Sequence, residues 1–292
     1  MRAIIGLLLA SLCLCATAAN ADECKYHVEK VQHGRLVADL YVPESTHKVP
    51  VVIAIGGSEG GLSTGDANGE LLAPHCLAVL GLAYFKADGL PPTLDHIPLE
   101  YFIEAVDYVA TVPSIDASRI GFVGGSRGAE LALQLAAREP RIRSLVATTP
   151  SIVAWYGRNT NQSAWTLGGH DIPALAMGLD DTATSVARFS AALADKVKVR
   201  NAMPALERIN GPVLLVSASN DQIWPSTAMS EDIVAYLKDQ HFRYAVTHRS
   251  YPTGHGFSKE TAPEIKQLIV DHFVDTLAPA VVAKRRGVDP LH

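Results

Sequence analysis

Basic residues, cysteine and metal-ligand motifs are scarce in this 292-residue sequence, and each scarcity argues against a class of function. The 25 Lys and Arg residues are outnumbered by 30 Asp and Glu, which gives a formal net charge of -5. A nucleic-acid partner usually requires a basic surface, so none is predicted. The sequence has no His-Glu-x-x-His segment and no Cys-x-x-Cys pair, and its glycine loops lack the spacing of nucleotide fingerprints. We therefore expect neither a metal nor an organic cofactor.

The sequence also has no apolar run of the roughly 20 residues that a membrane span needs. The N-terminal apolar stretch over 3–16 is shorter, follows Arg2 and precedes a small-x-small site at Ala19-Asn20-Ala21. This pattern is typical of a signal peptide. We expect residues 1–21 to be removed and the mature protein to be secreted or periplasmic, without a stable membrane span. An uncleaved anchor is the alternative.

Cysteine is limited to four residues. Cys13 and Cys15 fall within the predicted signal peptide, which leaves Cys24 and Cys76. An oxidising compartment allows a disulfide to persist, but the two residues must also lie close together. The sequence therefore leaves open a Cys24–Cys76 disulfide or two free thiols.

The rest of the chain alternates between apolar strands and helical segments, which is typical of a mostly parallel sheet with helices on both faces. We predict an α/β fold in a single domain over 22–280, with a small cap over about 150–205 and a solvated tail over 281–292. The cap includes a helical segment over 184–193. Strands are predicted over 26–33, 35–42, 49–55, 82–85, 119–123, 144–148, 213–217 and 242–251. Helices are predicted over 71–80, where Gly81 ends the helix, and over 99–109, 129–137 and 265–277.

A candidate nucleophile lies in the segment Gly124-Gly125-Ser126-Arg127-Gly128, which matches the pattern G-x-S-x-G. The pattern alone is common, but here it follows a predicted strand and begins a predicted helix. That is the setting of a nucleophile elbow, a tight turn that exposes the serine hydroxyl. Gly124 and Gly128 are expected because larger side chains would collide in so tight a turn. A buried serine in a glycine-rich turn is the alternative.

A serine hydroxyl needs a base, which in this kind of fold follows an acid in the chain order serine, acid, histidine. His255 comes directly after the last predicted strand, and Asp221 directly after the one before it. Asp221 would hold His255 in the right tautomer. His248 lies within a strand, and Asp180 and Asp181 lie in the predicted cap, so these are weaker candidates. Asp221 could instead cap a following helix.

If Ser126 attacks an acyl group, the reaction also requires two N–H donors that stabilise the negative charge developing on the substrate oxygen. The Arg127 N–H is one candidate because it follows the nucleophile, and the loop after strand 49–55 should supply the other, from Gly57 or Ser58. Three cap aromatics could line an acyl pocket or simply form the core of the cap: Trp155, Tyr156 and Trp165.

Several segments resemble the C-terminal catalytic domain shared by acyl-CoA thioester hydrolases and bile acid-CoA:amino acid N-acyltransferase. The resemblance covers 49–277 and is carried by segments 56–62, 90–106, 120–131, 210–225 and 251–255. It implies an α/β-hydrolase fold with a Ser or Cys nucleophile and a triad of Ser126, Asp221 and His255. A serine at the nucleophile position favours hydrolysis over amino-acid conjugation.

The resulting hypothesis is a serine hydrolase that cleaves a small-molecule acyl ester or thioester through an acyl-serine intermediate. Three alternatives remain at this stage. An acyltransferase would use the same triad, a peptidase on the same fold would cleave amides, and a non-catalytic binding module would keep the pocket without turnover.

Overall fold

The computed structural model describes residues 23–179 and 181–278. The predicted signal peptide and the tail over 281–292 lie outside these residues. The strands are β1 Tyr26–Lys30, β2 Val37–Pro43, β3 Val49–Ile55, β4 Ala78–Ala83, β5 Ile97–Pro98, β6 Ile115–Gly125, β7 Ile142–Thr148, β8 Trp165–Leu167, β9 His170–Asp171, β10 Val213–Ala218 and β11 Val246–Tyr251. The helices are α1 Ser63–Leu72, α2 Leu99–Thr111, α3 Arg127–Ala136, α4 Ser185–Leu193, α5 Lys196–Ala202, α6 Ser226–Asp239 and α7 Ala262–Leu277.

Eight strands form the main sheet, in the order β1-β2-β4-β3-β6-β7-β10-β11. The pairs β1–β2 and β2–β4 are antiparallel, and all the other pairs are parallel. The mostly parallel sheet confirms the predicted fold class. Because parallel strands end at one edge, the loops after β3, β6, β10 and β11 meet there, which is where open α/β sheets place their sites.

The central strands are buried because helices cover both faces of the sheet. All seven residues of β3 are buried. Its alternate residues Val51 and Ile53 join a core with α2, α3 and α6, whereas Val52 and Ala54 join a second core with α1 and α7. This alternation follows from the two-residue repeat of a strand and fixes the register of the sheet.

The helix predicted over 71–80 is wrong. Helix α1 ends at Leu72, and the stretch Ala78–Ala83 forms the wholly buried strand β4. A short apolar run fits a buried strand or a buried helix equally well, so its sequence does not discriminate. Gly81 does not end a helix. It lets α1 approach the strand, since a Cβ at Gly81 would lie 2.9 Å from the carbonyl carbon of Gly65.

The predicted cap lies between β7 and β10 and contains β8, β9, α4 and α5. Helix α4 confirms the predicted helical segment, and the Thr184 side chain caps it by accepting a hydrogen bond from the Ala187 N–H. Strands β8 and β9 form a small second sheet with β5, which precedes α2. Strands of two or three residues carry too little pattern to be predicted, and this sheet was missed.

Cys24 and Cys76 form a disulfide with a Cα–Cα distance of 5.3 Å, which resolves the alternatives left open by the sequence. The bond ties the segment before β1 to the short turn that precedes β4, where the Cys24 N–H also donates to the Pro74 carbonyl at 2.8 Å. Over 23–179 and 181–278, no helix combines the length and apolar character needed to cross a bilayer.

Candidate active site

Ser126 occupies the sharp turn between β6 and α3. Its φ of 55° and ψ of -120° lie in a region that non-glycine residues rarely adopt. The turn is held by a hydrogen bond from the Ser126 N–H to the Thr148 carbonyl at 2.9 Å. Strain of this kind persists only where surrounding contacts fix it, and it is typical of nucleophile elbows.

The two glycines that flank the serine are explained by contacts with neighbouring backbone. A Cβ at Gly124 would run into the Gly128 carbonyl, and a Cβ at Gly128 would run into the Gly56 carbonyl. The first contact closes the elbow on itself. The second brings the elbow against the loop after β3, so any side chain at Gly128 would push that loop away from Ser126.

The structure brings Ser126, His255 and Asp221 together, although they lie on three separate loops. His255 follows β11, and its Nε2 lies 2.8 Å from the Ser126 Oγ. Its Nδ1 lies 2.9 Å from both carboxylate oxygens of Asp221, which follows β10. These distances form one continuous chain of hydrogen-bond contacts from a carboxylate to a hydroxyl.

Asp221 is held as a buried carboxylate, with its side chain only 2% exposed. Burial alone would raise its pKa, but hydrogen bonds from His255 and Ser226, the charge of His255 and the Ile223 N–H together keep the pKa below its usual value. The Ile223 N–H donates to Oδ1 at 2.9 Å. Asp221 therefore keeps its negative charge beside the imidazole.

The weaker candidates lie elsewhere. The Asp181 side chain is 92% exposed and pairs with Arg188 in the cap, whereas Asp180 lies outside the described residues. His248 Nε2 lies 2.8 Å from the Oγ of Ser217, which is fully buried inside the sheet. Burial lowers the pKa of His248, and its place on β11 with a contact to β10 makes it part of the sheet and not of the site.

The loop after β3 packs against Ser126 but commits one of its candidate donors elsewhere. The Gly57 N–H donates to the Glu59 carboxylate at 2.8 Å, and the Thr64 hydroxyl donates to the same oxygen at 2.6 Å. Gly57 is therefore not a free donor, contrary to one of the two options drawn from the sequence. Ser58 lines the cavity beside Ser126 and Arg127. It stays the candidate from this loop, and the Arg127 N–H belongs to the first turn of α3, whose amides have no acceptor within the helix.

Tyr84, which no motif in the sequence indicates, holds the backbone of this loop through its hydroxyl. It directly follows β4 and is buried, and its hydroxyl donates to the carbonyls of Gly56 at 3.0 Å and Gly57 at 3.1 Å. Burial raises its pKa well above the usual value, so the hydroxyl stays protonated and remains a donor. The only signal in the sequence was a tyrosine at the end of an apolar strand.

A buried ion pair joins the elbow helix to the cap. Arg127 Nη1 lies 2.9 Å from Glu130 Oε2, and Nη2 donates to the carbonyls of Trp155 and Tyr156. Glu130 accepts from the Trp155 N–H at 2.9 Å and from the Trp165 indole N–H at 2.6 Å. Burial raises the pKa of Glu130, and these three partners oppose the shift. Arg127 thus anchors the cap with its side chain, in addition to the role predicted for its N–H.

A cavity of about 590 Å³ opens above Ser126, between the sheet edge and the cap. Trp155 and Tyr156 line it, in keeping with the sequence-based prediction, but Trp165 does not. Trp165 is fully buried against Tyr84 and Phe102, so for this residue the structure favours the second alternative, a place in the core and not in the substrate pocket. Trp155, Phe189 and Trp224 also line the cavity, and these three rings continue edge-to-face to the His255 imidazole.

Comparison with known proteins identifies the family. The model of the family described as "BAAT / Acyl-CoA thioester hydrolase C terminal" matches residues 97–270, more than half of the chain. The chain belongs to this family. The residues matched by the BAAT / acyl-CoA thioester hydrolase model include Ser126, Asp221 and His255, whereas Gly57, Ser58 and Tyr84 precede them.

Curated relatives in this family include both thioesterases and acyltransferases. Acyl-coenzyme A thioesterase 5 of Mus musculus is 42% identical over 36% of this chain and 25% of its own length. Peroxisomal succinyl-coenzyme A thioesterase of the same species is 32% identical over 77% of this chain and 53% of its own. Acyl-coenzyme A amino acid N-acyltransferase 2, also from Mus musculus, is 29% identical over 78% and 53%. In its longer matches, the chain spans about half the length of these relatives.

Solved structures of low sequence identity share the fold. A puromycin-hydrolyzing peptidase of Mycobacterium tuberculosis superposes with a TM-score of 0.62 at 16% identity, covering 87% of this chain and 40% of that one. A dienelactone hydrolase from Anabaena variabilis gives 0.56 at 17% identity, covering 87% and 99%. These likenesses confirm the α/β-hydrolase architecture of this member of the family.

Proposed function

We propose that the protein is a serine hydrolase that cleaves carboxylic esters or thioesters through an acyl-serine intermediate. The observation that carries this proposal is the hydrogen-bond chain from Asp221 through His255 to Ser126, placed at a strained elbow below a cavity. A serine hydroxyl reacts poorly unless a base removes its proton. The 2.8 Å contact with His255 Nε2 places that base within reach.

In the proposed reaction, Ser126 Oγ attacks the acyl carbonyl carbon while His255 Nε2 takes the hydroxyl proton. Asp221 accepts the Nδ1–H bond, which fixes the tautomer and stabilises the imidazolium. The Arg127 N–H and the Ser58 N–H stabilise the tetrahedral oxyanion. His255 then gives its proton to the leaving alcohol or thiol. In the second half of the reaction, it activates the water that releases the acid and restores the serine.

Membership of the family indicates which class of substrate to test first. Its relatives act on acyl-coenzyme A thioesters, as their names state, and an acyl thioester is therefore the first substrate to test. The apolar walls formed by Trp155, Phe189 and Trp224 suit the methylene groups of an acyl chain.

Acyl transfer to an amine is the second candidate, since one relative is an amino acid N-acyltransferase. It would share the acyl-serine and differ only in the group that attacks it. Adding glycine or taurine to a turnover assay distinguishes the two functions, because a transferase forms the N-acyl product at the expense of the free acid.

The deciding experiment measures turnover of matched oxygen esters, N-acetylcysteamine thioesters and coenzyme A thioesters by the wild-type protein and by Ser126→Ala. Ser190→Ala, on the exposed side of α4, is the matched control. We expect the first variant to lose activity and fluorophosphonate labelling, and the control to keep both. Labelling of another residue, or equal turnover by Ser126→Ala, refutes the proposal. A wild-type protein that is neither labelled nor active indicates a binding module.

We also propose that the protein is exported after removal of residues 1–21. The Cys24–Cys76 disulfide supports this because such bonds persist in oxidising compartments and are rare in the cytosol. N-terminal sequencing of the protein recovered from its native host should begin at Asp22. Recovery from the cytosol with Met1 intact contradicts export.

A further inference from the structure

The cavity above Ser126 is lined by three arginines although the protein as a whole is acidic. Among the described residues, the lining contains Arg127, Arg158 and Arg188 and no carboxylate, whereas the whole chain carries a net charge of -5. A cleft lined by one sign of charge, with apolar walls, concentrates ligands of the opposite sign. The arginines of the lining therefore favour an anionic ligand.

The three arginines are not equivalent. Arg127 is buried, and its charge is compensated by Glu130 at 2.9 Å, so it stabilises the cap and is not available to a ligand. Arg158 lies on the exposed loop over 157–161 and has no carboxylate within 4.0 Å among the described residues. That loop is held in place by Asp95, which accepts hydrogen bonds from the Asn159 N–H and the Thr160 hydroxyl.

Arg188 has an unused donor within the protein. It lies on α4 with Ser185 and Phe189, three and one residues away, and all three line the cavity. Its Nε is buried and meets no acceptor in the described part of the chain. A buried donor without an acceptor is destabilising, so an acceptor supplied by a ligand is favoured there.

The existing partner of Arg188 does not cancel this preference. Asp181 contacts Nη1 at 2.8 Å, but its own side chain is 92% exposed. Ion pairs this open to water contribute little because water screens them. An anion that enters the cavity would lie beside the same guanidinium, because Arg188 lines the cavity.

Aromatic side chains connect α4, the helix that carries Arg188, with His255 beside the proposed nucleophile. Phe189, the neighbour of Arg188, packs edge-to-face on Trp224 at 5.5 Å, and Trp224 packs on His255 at the same distance. Phe189 and Trp224 therefore form an apolar stretch of wall between α4, the helix that carries Arg188, and His255. A ligand that spans both ends needs an apolar stretch between its reacting carbonyl and its charge.

We propose that Arg188, assisted by Arg158, forms a subsite for an anionic group of the substrate, a carboxylate or a phosphate separated from the scissile carbonyl by an apolar spacer. The subsite rests on the proposed hydrolase function and narrows its substrate class. The anion can belong to the acyl chain or to the leaving group, and both present the same oxygen acceptors to a guanidinium.

The test compares three thioesters of equal acyl length. Hexanoyl-N-acetylcysteamine carries no charge, adipoyl-N-acetylcysteamine adds a carboxylate to the acyl end, and hexanoyl-coenzyme A adds phosphates to the leaving group. The variants are Arg188→Met, Arg188→Lys and Arg158→Met. Arg200→Met, on the exposed side of α5, is a matched loss of charge in the same cap.

We expect Arg188→Met to lower the ratio of kcat/KM for one anionic thioester over the neutral one by roughly 10- to 100-fold, the usual effect of losing a charged hydrogen bond. Arg188→Lys should recover part of it, and Arg200→Met should keep the wild-type ratio. A drop confined to the adipoyl substrate places the anion on the acyl chain, and a drop confined to the coenzyme A substrate places it on the leaving group. An equal loss on all three thioesters, or no anionic preference in the wild type, overturns the subsite.

A second readout separates this inference from the hydrolase proposal. In Ser126→Ala, which cannot form an acyl-serine, binding of the same thioesters is followed by the fluorescence of Trp155 and Trp224 in the cavity wall. Tighter binding of an anionic thioester that is lost with Arg188→Met supports the subsite even if no turnover is found. If Ser126→Ala binds the anionic and neutral thioesters equally well, with or without Arg188→Met, the subsite is overturned.

Discussion

Removal of the Tyr84 hydroxyl should slow the reaction without emptying the core. The Tyr84→Phe substitution keeps the ring, which packs against Phe85, Phe102 and Trp165 at centroid distances of 5.0–5.9 Å. It removes the hydroxyl that donates to the Gly56 and Gly57 carbonyls. These carbonyls belong to the loop that carries Ser58, so the change loosens the proposed oxyanion donor and leaves the triad in place.

The size of the effect follows from two separate terms. A buried carbonyl that loses its donor costs roughly 1–3 kcal/mol of stability, which lowers Tm by about 2–10 °C in a domain of this size. Complete loss of one oxyanion donor slows catalysis by about 100- to 1,000-fold. Because Tyr84 acts through the loop, we expect a smaller drop in kcat, roughly 10- to 100-fold, with little change in KM for a neutral ester.

Tyr101→Phe is the matched control. The Tyr101 hydroxyl is also buried and bonded to backbone, donating to the Ala83 carbonyl at 2.7 Å and accepting from the Val37 N–H at 3.1 Å, but it does not touch the loop after β3. Steady-state kinetics and thermal unfolding are measured on both variants. Both should lose stability, and only Tyr84→Phe should lose kcat. Equal kcat values in the two variants refute the positioning role of Tyr84.

Three further predictions test the site and the scaffold. Asp221→Asn should lower kcat by roughly 10³- to 10⁴-fold because asparagine cannot hold the imidazole tautomer, and a loss below tenfold on a neutral ester contradicts its role. Burial lowers the pKa of His272 from 6.5 to about 4. Between these pH values the unfolded chain binds a proton that the folded protein excludes, so the free energy of unfolding should fall by roughly 3 kcal/mol as pH drops. Urea unfolding measures this fall, and an equally steep fall in His272→Gln contradicts the assignment. Cys76→Ser opens a cross-link between residues 52 apart and should cost about 4 kcal/mol by chain entropy; unchanged urea unfolding argues against that cost.

The positions of the proposed triad could be predicted because each member follows a strand in a recognisable order. Ser126 lies in a glycine-bounded turn, and Asp221 and His255 follow the strands now seen as β10 and β11. Parallel strands bring such loops to one edge, so chain order stands in for three-dimensional proximity. No comparable rule exists for Tyr84, whose contribution depends on a hydroxyl reaching the backbone of a neighbouring loop.

The errors arose where packing overrides local pattern. Residues 71–80 were predicted as a helix because the pattern of a short apolar run does not distinguish the helix from the buried strand β4. The position of Trp165 in the cap leaves open a place in the pocket or in the core, and only the structure shows that its indole N–H donates to Glu130, a buried carboxylate 35 residues away in the chain. A contact between residues so far apart in the chain produces no periodic pattern in the sequence.

The two walls of the cavity differ in how deeply their residues are buried, and we expect them to differ in rigidity. On one side, every residue of α3 is buried, and the Arg127–Glu130 pair fixes Trp155 to the elbow. On the other side, none of the nine residues of α4 is fully buried. Regions with few buried contacts open at a low cost in free energy. The proposed nucleophile Ser126 therefore lies on the more deeply buried wall, as a reaction that needs fixed distances would require. Arg188 and Phe189 lie on the wall that can adjust, which suits them to discriminate between substrates.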